Sequence, residues 1–144
     1  MNLIDYLKIN EGLRLEAYRD TVGVWTVGYG QTGPKIVEGT RVTLEEAEAM
    51  LERSANRASD AAMRVVGLDV WRRLNGARRL VLADMAFQMG EVGLSKFKRT
   101  LKAIREGRYE EASLFMTQSL WAKQTPGRAK RNAGMMLTGV FWKP

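Results

Sequence analysis

The chain reads as a mainly helical α+β protein with two lobes, and three stretches of its sequence predict this. Around residues 15–30 the pattern alternates with a period of two. From Thr43 to Val66 it repeats every three to four residues. Residues 77–89 are apolar nearly all round. A half-buried strand, an amphipathic helix and a fully buried helix are the respective expectations.

The elements follow in order. Leu3, Ile4 and Leu7 lie on one side of a short helix over 3–11, and Gly12 supplies a C′ stop. Glu11 then falls in the last turn, against the negative end of the helix dipole, which is unfavourable unless a cation compensates. Trp25, Val27 and Tyr29 alternate with Val24, Thr26 and Gly28, while Asp20-Thr21-Val22-Gly23 carries turn residues. This predicts a β-hairpin. Gln31 to Thr40, with Gly33, Pro34 and Gly39, reads as loop, with a short third strand expected over Lys35–Glu38.

Thr43-Leu44-Glu45-Glu46 is a capping box. Behind it Leu44, Ala47, Leu51, Ala55, Ala58, Ala62 and Val65 mark one long helix that stops near Gly67, long enough to join two lobes. Residues 77–89 are the expected central core helix, broken by Gly90 and Gly93. Shorter helices are expected at 95–105, 109–119 and 126–135, with Phe141 and Trp142 tucked back onto the core. The whole is a single domain, 1–144. Its small lobe spans about 12–42, its connecting helix about 43–66, and its helical lobe about 67–144 plus helix 3–11, with a cleft between the lobes.

With 144 residues, 45% of them apolar, a core can form without disulfides or a metal. Neither cysteine nor histidine is present. No cofactor or metal is therefore expected, and proton transfer must rest on carboxylates, Lys or Tyr. No signal-peptide h-region precedes Glu11 and no apolar run approaches the ~18 residues of a membrane span. A soluble chain without an export signal of its own is expected. The net charge of +7 divides into −3 over residues 1–60 and +10 over 61–144. Such a basic body attracts polyanions, whether nucleic acid, anionic lipid or wall polymer, and names none of them.

Hydrolysis of a glycosidic bond needs one acid and a second carboxylate opposite it. Glu11 at a helix end, Asp20 at a hairpin turn and Thr26 on the following strand come to one edge of the small lobe. On spacing alone each is an ordinary residue with a structural role open to it.

The wording of the segment adds more. Glu11-Gly12-Leu13-Arg14-Leu15-Glu16-Ala17-Tyr18-Arg19-Asp20-Thr21 and Trp25-Thr26-Val27-Gly28-Tyr29-Gly30 closely resemble the N-terminal signature of the T-even phage lysozymes. Ala77-Arg78-Arg79 leading to Asp84 through Glu91 resembles that family's central helix. Ser119-Leu120-Trp121 with Gln124 through Arg131 resembles its late helix. The likeness runs along nearly the whole chain in the same order. It implies the lysozyme-like two-lobe fold and a muramidase, an endolysin that cleaves peptidoglycan glycan strands for host lysis.

Carried over by position, the resemblance makes Glu11 the general acid, Asp20 the carboxylate that activates water, and Thr26 the hydroxyl that holds that water. Arg128 matches an arginine that pairs with the acid. Phe87, Thr32 and Thr100 match positions that line the saccharide cleft, although a plain core role is equally open to Phe87. The resemblance further implies a monomer made in the host cytoplasm and acting in the periplasm or cell wall. A separate holin-like pore protein would release it, without membrane insertion or nucleic-acid binding of its own.

Departures stand beside the likeness. Where the family's best-known member carries a histidine–aspartate ion pair this chain has Gln31 and Ser54, a double loss that strands no charge. A glutamate–arginine pair across the cleft is replaced by Val22 and Leu120, which predicts an apolar closure. The loop from Gln31 to Thr43 is shortened. Two rivals stay open at this level: a lytic transglycosylase acting on the same bond, and a non-enzymatic basic helical protein that binds nucleic acid.

Overall fold

Asn2 opens the first helix by accepting the Asp5 amide on its side chain at 2.9 Å, a cap that satisfies one of the free donors of the first turn. A computed structural model describes all residues, Met1–Pro144. Helix α1 (Leu3–Glu11) ends at Gly12, whose φ of +69° suits glycine and whose N–H donates to the Lys8 carbonyl. Strands β1 (Arg14–Arg19) and β2 (Trp25–Gly28) form an antiparallel hairpin, with Tyr18 opposite Thr26 and Arg19 opposite Trp25. The register shifts between Arg14 and Tyr18.

The expected third strand at Lys35–Glu38 is absent. Two turns occupy this stretch, closed by Ile36 N–H to Gly33 O and Thr40 N–H to Val37 O. Pro34 and Gly39 favour such turns over an extended run. The third strand's place beside β1 is taken a few residues later. There Ala17 donates to Thr40 O, Val42 donates to Leu15 O, and Glu16 bridges Arg41.

Helix α2 (Leu44–Val66) starts on the expected capping box. Thr43 Oγ1 accepts the Glu46 amide while Glu46 Oε1 accepts the Thr43 amide, both at 3.1 Å. The chain divides into two units, Asn2–Asn56 and Arg57–Pro144 with Met1, and α2 runs through the boundary. In the first unit Tyr6, Leu7, Val27, Tyr29, Ala47, Leu51 and Ala55 form the core. Gly28 passes close to Ala47, where a Cβ would meet the alanine methyl at 3.4 Å.

The second unit holds α3 (Leu68–Arg73), α4 (Gly76–Ser95), α5 (Lys98–Arg105), α6 (Tyr109–Thr117), α7 (Leu120–Gln124) and α8 (Pro126–Thr138). Residues 80–86 of α4 are all buried, as an apolar helix without a polar face requires. Gly90, at φ 75° and ψ 173°, interrupts α4 as expected. Gly93 does not break it; its missing side chain instead admits Met89, whose Cβ a methyl there would meet at 2.7 Å.

Helices α3 and α7 were not foreseen; the expected 109–119 helix ends at Thr117 as α6, and α7 follows it as a separate turn. Ser119 makes that division by donating to Met116 O and accepting the Ala122 amide. Helix α8 begins with Pro126 at its first turn and stops at Gly139, φ +70°. Helix α8 packs against α4, α6 and α7, and Ser113 Oγ donates to Ala133 O. Phe141 folds onto the start of α4, where Gly76 leaves room for its ring.

Three arginines close helix C-termini from the side. Arg105 donates to Val65 O and Val66 O at the end of α2, and Arg79 to Trp71 O and Arg72 O at the end of α3. Arg78 donates to Met136 O and Leu137 O at the end of α8. Each places a cation on last-turn carbonyls and on the negative end of a dipole. Part of the +10 charge of residues 61–144 is thus structural. No helix is long and apolar enough to cross a membrane.

Candidate active site

The three residues expected to do chemistry all fall in the first unit. Glu11 is the last residue of α1 and half-buried. The chain turns back beside it after β2: Val27 and Gln31 exchange both backbone hydrogen bonds, at 2.8 and 2.9 Å. Gly30 stands in that turn at φ +75°, and a Cβ on it would lie 2.8 Å from Oε2 of Glu11. The acid is therefore seated against bare backbone.

Asp20 heads the hairpin turn. Its Oδ1 accepts the amides of Val22 at 3.0 Å and Val24 at 2.8 Å, and its backbone carbonyl accepts the Gly23 amide. The turn occupies one carboxylate oxygen and leaves Oδ2 for other work. Thr26, buried on β2, donates its hydroxyl to Val24 O at 2.9 Å. The backbone of Val24 thus fixes both side chains, its N–H holding Asp20 and its C=O holding Thr26. With its proton committed, Thr26 Oγ1 can only accept a further hydrogen bond.

Of the other expected residues, Thr32 is exposed just beyond the turn, and Phe87 is half-buried on α4. Thr100 is buried on α5 and lines a cavity with Phe97, Phe115 and Trp121. Phe87 is not among the residues of that cavity. Arg128, on α8, donates from Nη2 to Asp84 Oδ1 at 2.6 Å and from Nε to Asp84 Oδ2 at 3.1 Å. Asn132 Nδ2 adds a bond to Oδ2 at 2.8 Å. Sequence reasoning missed Asp84, although a lone acid inside a helix that is otherwise apolar all round signals a buried partner. It missed Gly30 as well.

The departures also have structural answers. Ser54 Oγ donates to Gln31 Oε1 at 2.8 Å, so a neutral hydrogen bond stands where an ion pair was absent on both sides. Val22 and Leu120 are 80% and 68% exposed.

Comparison with known proteins matches residues 8–136 to the phage lysozyme family. A probable T4-type lysozyme 2 of Dictyostelium discoideum is 32% identical over 97% of this chain and 96% of its own. The pre-baseplate central spike protein Gp5 of Enterobacteria phage T4 is 35% identical over 96% of this chain and 28% of its own. A peptidoglycan hydrolase, gp36 of Pseudomonas phage phiKMV, is 37% identical over 83% of this chain and 13% of its own. With a main-chain carboxylate seat, a clamped second carboxylate and this extent of likeness, the chain belongs to the phage lysozyme family and is a glycoside hydrolase.

Proposed function

We propose that the protein is a muramidase that hydrolyses the β-1,4 bond between N-acetylmuramic acid and N-acetylglucosamine in bacterial peptidoglycan, with inversion at the anomeric carbon. The observation that carries this reading is the shared anchoring of Asp20 and Thr26 on Val24. A water that donates one hydrogen to Asp20 Oδ2 and the other to Thr26 Oγ1 keeps its lone pairs free for attack. As the C–O bond lengthens, Asp20 takes the water's proton, while Glu11 gives its own to the leaving oxygen. A nucleophilic carboxylate would need no such acceptor beside it.

Arg128 supports the acid in this reading, and Thr32, Phe87 and Thr100 contact the saccharide. The enzyme acts on the wall of the host after a separate pore protein lets it cross the inner membrane. The +10 charge of residues 61–144 favours encounter with that anionic polymer.

Product analysis tests the proposal. Digestion of purified glycan strands in 18O-labelled water should give reducing-end muramic acid bearing the label, first seen as the α anomer by NMR. A 1,6-anhydro sugar would make the protein a transglycosylase. A first-formed β anomer would make Asp20 a nucleophile.

A further inference from the structure

Four arginines of the second unit gather around α3. Arg72 and Arg73 are the last two residues of that helix, and both are exposed. Arg79 reaches back from α4, donating from Nη2 to Arg72 O at 3.1 Å and lying over the Trp71 ring, 5.6 Å from its centroid. Arg73 donates from Nη2 to Arg105 O at 3.4 Å, which ties the end of α5 to the same place. None of the four enters an ion pair; those of the chain engage Lys8, Arg41, Arg64, Arg108 and Arg128. Of the acids nearest in sequence, Asp69 pairs with none of them and Glu106 is taken by Arg108.

Like charges brought together repel, and helix ends account for only half of this cluster. Arg79 and Arg105 close α3 and α2, whereas Arg72 and Arg73 close no helix from the side. Held through Nε and Nη2, Arg79 and Arg105 keep the Nη1 donors outside those bonds. Guanidinium forks fixed in this way need little further ordering to meet an oxyanion, and phosphate matches their geometry.

Helix α3 itself decides which phosphate-bearing partner fits. Leu68, Trp71 and Arg72 stand at i, i+3 and i+4, on one face of the helix. Leu68 is 48% exposed and Trp71 half-buried. An aliphatic side chain and an indole beside guanidinium groups suit the boundary between lipid headgroups and acyl chains, where each finds its own medium. The backbone of a nucleic acid offers Leu68 nothing apolar to enter. We propose that α3, with Arg73, Arg79 and Arg105 around it, docks the protein peripherally on a bilayer rich in anionic phospholipid. The inference rests on α3 and its arginines alone and not on the muramidase reading.

Sedimentation of the full chain with vesicles at physiological salt tests it. One set is phosphatidylcholine alone, the other phosphatidylcholine and phosphatidylglycerol in equal parts. The protein should bind the anionic vesicles and not the neutral ones. R72Q/R73Q should weaken that binding by about tenfold or more, and Leu68→Ser by about fivefold. R72Q alone should weaken it by about fivefold; it is measured beside the double variant so that a loss of fold cannot pass for a loss of docking. K130Q/K143Q removes the same charge from α8 and the C-terminal segment, and should change the affinity by less than about twofold. Equal binding to neutral vesicles, wild-type affinity in R72Q/R73Q and R72Q, or an equal loss in K130Q/K143Q would each overturn the proposal. Wild-type affinity in Leu68→Ser, with duplex DNA displacing the protein from the vesicles, would overturn it as well and make the cluster a general polyanion site.

Discussion

A methyl group on Gly30 would lie 2.8 Å from Oε2 of Glu11, so the absence of a side chain at residue 30 is what lets the turn after β2 pass beside the acid. Gly30→Ala strains a backbone at φ +75° and pushes the carboxylate away. The strain, about 1–2 kcal/mol, should lower Tm by roughly 3–8 °C. The displaced acid should lower kcat by about 100-fold or more. Gly107, at φ +72° with nothing within 4 Å, is the control. Gly107→Ala should lose similar stability and keep its turnover.

Glu11→Gln should abolish turnover with little change in the circular dichroism spectrum or Tm. An amide is nearly the size of the acid but has no proton to give the leaving oxygen. If this variant clears permeabilised cells at the wild-type rate, Glu11 is not the acid.

The Asp84–Arg128 pair should be worth more to folding than any surface ion pair. Asp84 is fully buried and the Arg128 side chain is 10% exposed. Asp84→Ala takes two carboxylate contacts from Arg128 and one from Asn132, and should cost about 3–5 kcal/mol in urea denaturation. Asp84→Asn, which keeps an acceptor oxygen, should cost less. In a double-mutant cycle Asp84→Ala with Arg128→Ala should lose less than the two single losses together. Strict additivity would mean that the two groups act independently.

Acid should release a different contribution. The hydrogen bond from Arg64, supported by its charge, holds the Glu91 carboxyl below the usual carboxylate range. A lowered folded-state value means that the pair's stability is present above the ordinary carboxylate pKa. It is lost as pH falls through the folded value. Glu91→Gln should therefore show a small drop in Tm at neutral pH that vanishes near pH ~2, where both proteins carry a neutral residue. The Lys8–Glu48 bond works from the other end. It raises Lys8, so its contribution persists from neutral pH until alkali titrates the amine.

What the sequence disclosed, and what it withheld, follows from the range of each signal. The Thr43–Glu46 box, the stop at Gly12 and the turn at Asp20 are local chemistry, readable over four residues. Helices α3 and α7, of six and five residues, are too short for a 3.6-residue period to register. A short strand was expected over Lys35–Glu38, but Pro34 and Gly39 decided the backbone. Glu11, Asp20 and Thr26 were legible because a contiguous motif holds them. The Asp84 end of the bond to Arg128 was not, because the two residues lie 44 apart in the chain. Gly30 was hidden for the same reason: its role depends on a neighbour brought near only by folding.

The hydrogen bond from Ser54 to Gln31 carries a consequence for descent. A charged pair at these two positions would be another solution to the same joint, and no single substitution leads from the neutral pair to it. An aspartate at residue 54 facing Gln31 places one charge in a part-buried joint without its counter-charge, and a histidine at residue 31 facing Ser54 loses the amide oxygen that the serine now meets. The two positions should therefore change together. Recombination that separates them should leave hybrids that fold less well than either parent.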